Sequence, residues 1–122
     1  MATHEWRVRE CNVAADLVCN VMLQAEEDVN TANIPTVAAS IRNGAQLQLF
    51  SDGGFNAGIG ASGFVVVLHH WDEARERWCA TLAGCRGIRL RQAHSAFQAE
   101  VVAAEMAINF AVELGDFLCN RQ

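Results

Sequence analysis

The sequence predicts one α/β domain on a mixed α+β sheet. A three-stranded antiparallel meander is joined by a parallel N-terminal strand, and helices pack on the sheet. Three observations lead there. The chain has 122 residues, 52% of them hydrophobic, enough for one domain with its own core. Three β-prone stretches follow one another between residues 46 and 90, separated by short turns. Stretches with helical periodicity lie on either side of them. The expected organisation is a strand and helix over residues 1–28, a connection over 29–45, and strand–strand–strand–helix over 46–115.

A short strand is expected over residues 5–9. Behind it, Ala14, Leu17, Val18, Val21, Met22 and Ala25 recur at the spacing of one helix face, with Asn12 as N-cap. Glu26, Glu27 and Asp28 oppose the helix dipole at its end, so fraying is expected there. The connection holds the only proline, Pro35, which suits the first turn of a brief helix to Arg42 stopped by Gly44. Residues 46–51 alternate as a strand ending before Asp52-Gly53-Gly54, and residues 63–71 form a strongly β-prone run. A charged hairpin loop over 72–76 leads to a third strand over 77–90, bent near Gly84 or Gly87. Trp71 and Trp78 flank that hairpin and read as packing residues. Ser95 and Gln98 make a capping box for a helix over 96–114, with Gly115 as its C-cap.

Composition narrows the function classes. The net charge of −5 argues against a general nucleic-acid coat protein, although a nuclease that grips its substrate through metal ions can be acidic. All nine basic residues are arginine, which suits phosphate but also follows from codon bias. Five cysteines without C-x-x-C spacing exclude a zinc ribbon and read as reduced, mostly buried thiols. His69 and His70 are neighbours in a strand, so they point to opposite faces, one expected buried and one exposed. No apolar run reaches the roughly 18 residues of a membrane span, and residues 1–9 are polar. A soluble cytoplasmic protein is expected, with no membrane partner.

Two motifs bear on chemistry. Gly58-Ile59-Gly60-Ala61-Ser62-Gly63 matches G-x-G-x-x-G, but it opens into a strand and not the helix a dinucleotide site needs. It reads as a tight return between strands. Asp52, at a strand end, and Glu100, one turn inside a helix, are carboxylates that such a fold can bring together. Clustered carboxylates repel unless a cation neutralises them, and hard oxygen donors select Mg²⁺ or Mn²⁺. Taken alone, an Asp before two glycines is usually just a turn residue.

The stretch S-D-G-G-F-N-A-G-I-G-A-S-G-F-V-V-V from Ser51 to Val67 resembles the first hairpin of ribonuclease H-like domains. S-A-F-Q-A-E-V-V-A-A-E-M-A-I from Ser95 to Ile108 resembles that family's first helix, in the form common to retroelement and plant proteins. W-R-V-R-E-C-N-V-A-A-D-L-V-C-N from Trp6 to Asn20 is similar to the family's closing motif, with Trp6 where the family has histidine. The resemblance implies that Asp52, Glu100 and Asp16 are metal ligands and catalytic residues. It also implies that Arg86, Arg89, Arg91, Gln92 and His94, just before the helix, approach the nucleic-acid backbone; a solvated strand end reads the same way.

The order departs from the family. The closing strand and helix come first, and the fourth strand with its ligand aspartate has no counterpart within these 122 residues. The N-terminal strand could pair beside the first strand of the meander, or two chains could cover each other's edges, and a homodimer is expected. Three functions follow: a metal-dependent nuclease cutting RNA in RNA–DNA hybrids, a catalytically inactive remnant serving as a small dimeric interaction module, or a nucleic-acid binder without cleavage.

Overall fold

The computed structural model describes residues 28–120. Their order is β1 (Val29–Asn30), α1 (Ile34–Arg42), β2 (Gln46–Asn56), β3 (Ile59–Asp72), β4 (Arg77–Leu90) and α2 (Ala96–Cys119). The four strands form one sheet in the order β1-β4-β3-β2. Every pairing is antiparallel. The architecture of the described residues is therefore α+β, and among them no strand pairs in parallel with its neighbour. The expected strand over residues 5–9 and helix after Asn12 lie outside the described residues.

The meander forms as expected, but its first two strands are longer. β2 runs through Asp52, Gly53 and Gly54, pairing with Gly63, Ser62 and Ala61. The return is the pair Ala57-Gly58, with φ of 53° and 79°. Positive φ at both central residues matches the right-handed twist of the strands they join, and glycine at the second lowers the steric cost. The glycine-rich motif thus divides between a turn and the start of β3.

β3 carries the core because both its faces are covered. Successive side chains alternate between faces. Phe64, Val66 and Leu68 pack on Val37 and Ala38 of α1 and on Ala107, Phe110 and Leu114 of α2. Val65 and Val67 belong with Phe50 to a second cluster, joined by Ala80 and Cys85. This two-sided burial explains the unbroken apolar run. Both described helices therefore serve the same face of the sheet.

The segment expected to be a plain connection contributes the edge strand β1. Val29 and Asn30 pair with Gly87 and Arg86. Beyond them, Thr31 and Ala32 donate N–H bonds to the Cys85 carbonyl at 2.8 and 3.2 Å, and the Cys85 N–H donates to Thr31 Oγ1 at 3.0 Å. Gly84 makes room for this strap. Its φ is +152°, and a Cβ there would lie 2.8 Å from the Thr31 carbonyl oxygen. The register shifts beside it, Val66 facing Gly84 and Val67 facing Leu82, which is the bend expected near Gly84.

The helices follow their caps. Asn33 Oδ1 accepts the Thr36 N–H at 2.9 Å, Pro35 sits in the first turn of α1, and Gly44, with φ of +99°, follows its end. α2 continues past Gly115 to Cys119 and ends at Asn120, so Gly115 is an interior helical residue. No described helix is long and apolar enough to cross a membrane.

Two smaller expectations are also corrected. His69 and His70 are both half-buried, because they sit where the sheet emerges from its covered centre. The described thiols are free but not buried: Cys79 and Cys85 are half-exposed and Cys119 is exposed. Trp71 and Trp78 face each other across the hairpin, with ring centroids 5.9 Å apart in edge-to-face contact.

Candidate metal centre

Where α2 starts is decided locally. Ser95 Oγ accepts the Gln98 N–H at 3.1 Å, the first half of the capping box. Gln98 does not close the box on Ser95; its Oε1 accepts the His94 N–H at 2.7 Å, one residue earlier. Both bonds fix the first turn, and that turn lies directly on the sheet.

The contact is backbone against backbone. A Cβ on Gly53 would fall 2.3 Å from the Ala99 carbonyl carbon and 2.3 Å from the Glu100 nitrogen. Only glycine permits that approach. Beside it on β3, the fully buried Ser62 hydroxyl donates to the Ala99 carbonyl at 2.6 Å. Gly53 and Ser62 are direct partners across the strands, so they present one face to α2. Together they fix the height and position of the helix at Ala99 and Glu100.

Asp52 precedes Gly53 and is half-buried, and Glu100 follows Ala99 and is exposed. By strand alternation Asp52 shares the face of Phe50, opposite to α2. Asp52 and Glu100 therefore belong to opposite sides of β2, one of the two outer strands of the sheet among the described residues. One Asp52 oxygen, Oδ1, accepts the Gly53 N–H at 3.0 Å. The expected strand end at Asp52 is corrected: β2 continues to Asn56.

The donor chemistry suits a small hard cation, since both side chains offer carboxylate oxygens. Among the described residues, no group of three His, Cys, Asp or Glu side chains is placed to hold a metal ion. Asp16, the third expected ligand, lies outside the described residues.

The expected arginine patch divides. Arg86 faces the helices. Its Nε donates to Asn30 Oδ1 at 3.0 Å, its Nη2 to the Ala32 carbonyl at 3.5 Å, and its guanidinium stacks 4.9 Å from the Phe110 ring centre. These bonds tie the edge strand to the core and occupy the side chain. Arg89 stands on the opposite face of β4, by alternation, and Arg91 lies just past the end of that strand. Gln92 and His94 are exposed in the short connection to α2.

Sequence reasoning singled out the carboxylates and missed Gly53 and Ser62, which position them. The available signals were a second glycine after the aspartate and one hydroxyl in an otherwise apolar run. Comparison with protein-family models, with curated proteins and with solved structures gives no match.

Proposed function

We propose that this chain is a metal-dependent, ribonuclease H-like nuclease acting on the RNA strand of RNA–DNA hybrids. The observation that supports the proposal is the close seating of Gly53 on the backbone of Ala99 and Glu100, which brings the backbone next to Asp52 and that of Glu100 together. Asp52 and Glu100 would hold Mg²⁺ or Mn²⁺, with Asp16 as a further ligand carried over from the resemblance. A divalent ion at such carboxylates supplies charge neutralisation for attacking and leaving oxygens in phosphodiester cleavage. The chain's own part is to fix the two carboxylates on a rigid strand and a capped helix. Carboxylates that share a cation repel one another without it, so cation binding would relieve that repulsion.

The testing experiment is incubation of the purified protein with an RNA–DNA hybrid and Mg²⁺ or Mn²⁺, beside Asp52→Asn. Cleavage that falls by about a hundredfold or more in the variant is expected, equivalent to roughly 2.7 kcal/mol of lost transition-state stabilisation. No cleavage with either metal contradicts the proposal.

A second reading is an inactive dimeric module of the same fold. It is favoured by Phe97, Val101, Ile108 and Val112, exposed along one side of α2, and by β2, which pairs on one side only among the described residues. A dimer by sedimentation that leaves the hybrid intact supports this reading over the first.

A further inference from the structure

Helix α2 is apolar on two sides. Ala99, Ala103, Ala107, Phe110 and Leu114 are its buried residues. The same pattern shifted by two positions gives Phe97, Val101, Glu105, Ile108 and Val112. Two residues are more than half a turn, so this second stripe faces away from the first. Phe97, Val101, Ile108 and Val112 are 73%, 40%, 62% and 56% exposed. A helix that only closes a core carries polar residues on that side, and an apolar patch rimmed by polar groups marks an interaction surface. The stripe runs about 22 Å along the helix axis. Ala104, small and between Val101 and Ile108, leaves room for an incoming side chain.

The charges beside the stripe choose its occupant. Glu100, Glu105, Glu113 and Asp116 are the charged residues of α2, which has no lysine, arginine or histidine. All four are exposed. Glu105 stands one turn from both Val101 and Ile108, and Asp116 one turn beyond Val112. Between described residues the only ion pair within 4 Å is Arg75 with Asp72, so no described cation neutralises these acids. Nucleic-acid phosphates and anionic lipids would be repelled here. A second copy would set the same acids against one another, so the β2 edge suits self-pairing better than this stripe.

We propose that the outward side of α2 docks a basic amphipathic helix of another protein. Its apolar side chains would fill the stripe, and lysine or arginine along its borders would meet Glu105 and Asp116. Apolar burial supplies the affinity and the border charges select the partner. The inference goes beyond both functional readings, because it needs no metal, no hybrid and no second copy.

The test uses the full chain and three synthetic peptides of about five helical turns, each of leucine, alanine and one charged residue type. One has its leucines on one face and lysines along both borders. The second scrambles that composition, and the third replaces lysine with glutamate. Binding is read by calorimetry and by backbone NMR shifts. Saturable binding of the ordered lysine peptide alone, with shifts centred on α2, is expected. Ile108→Ser should weaken it roughly tenfold or more. Glu105→Lys together with Asp116→Lys should reverse the preference to the glutamate peptide. These three positions are exposed, so the fold is kept, which thermal unfolding checks. No saturation at millimolar peptide, equal binding of the scrambled peptide, or shifts centred elsewhere overturns the proposal. So does a dimer in sedimentation that Ile108→Ser dissolves, which would give the stripe to a second copy.

Discussion

Gly53→Ala should destabilise the fold by about 3 kcal/mol, the upper end of what overpacking usually costs. The added Cβ would lie 2.3 Å from backbone atoms of Ala99 and Glu100, which cannot swing aside as a side chain could. Relief requires lifting the first turns of α2 from the sheet. That movement would stretch the 2.6 Å bond from Ser62 to the Ala99 carbonyl. It would also loosen Ala99 and Ala103, both fully buried. Since a domain of this kind has only about 5–15 kcal/mol of stability, the loss is large. Urea unfolding of the variant beside Gly115→Ala checks it. A Cβ at Gly115 meets nothing within 4 Å, so that change should be neutral or mildly stabilising. A loss below about 1 kcal/mol at Gly53 would mean the helix is not seated as described.

Phe110→Ala should cost about 3–5 kcal/mol. Phe110 is fully buried and joins three parts of the fold. Its ring packs 5.2 Å from that of Phe64 at the centre of β3. Its face receives the Arg86 guanidinium at 4.9 Å, and Arg86 in turn binds Asn30 and the Ala32 carbonyl. Truncation would leave a cavity between sheet and helices and remove the platform under a half-buried cation. A double-mutant cycle with Arg86→Met, read by thermal unfolding, separates the two effects. Coupling of about 0.5 kcal/mol or more is expected for residues in contact, and full additivity contradicts the stacking role.

Both predictions concern contacts that no local pattern announces, and that marks how much of the fold was legible. The N-cap of α2 at Ser95, Pro35 in the first turn of α1, the charged hairpin after Asp72 and the stop at Gly44 depend on residues a few positions apart, and they form where expected. The bend at Gly84 was also legible, because a glycine in a β-prone run has few other uses. β1 was not. It is two residues long, and partners more than fifty positions away hold it in place. The extent of β2 was hidden because Asp52-Gly53-Gly54 has the composition of a turn. Those glycines serve instead as flat strand, and at Gly53 the missing side chain admits a helix backbone. α2 outruns Gly115 because helical packing of Leu114 and Leu118 continues past it.

The candidate site was legible in its chemistry and not in its support. Asp52 and Glu100 stood out as carboxylates in motifs, and the structure seats their neighbours Gly53 and Ala99 against each other. Ser62 is one hydroxyl among apolar residues, whose purpose appears only when the Ala99 carbonyl arrives 37 positions later. The arginines divide by strand parity. A segment treated as one patch presents Arg86 to the core and Arg89 to the other side, with Arg91 past the end of β4.

The central claim, that Asp52 and Glu100 act as one cation site, is tested most directly by Mn²⁺ binding. Electron paramagnetic resonance titrations would compare the unaltered chain with Asp52→Asn and Glu100→Gln, each first shown to be folded. Each variant loses one anionic oxygen ligand and should weaken Mn²⁺ by roughly tenfold or more, with the double variant binding no ion specifically. Equal Mn²⁺ affinity in all the proteins, or no binding by the unaltered chain, would contradict the account.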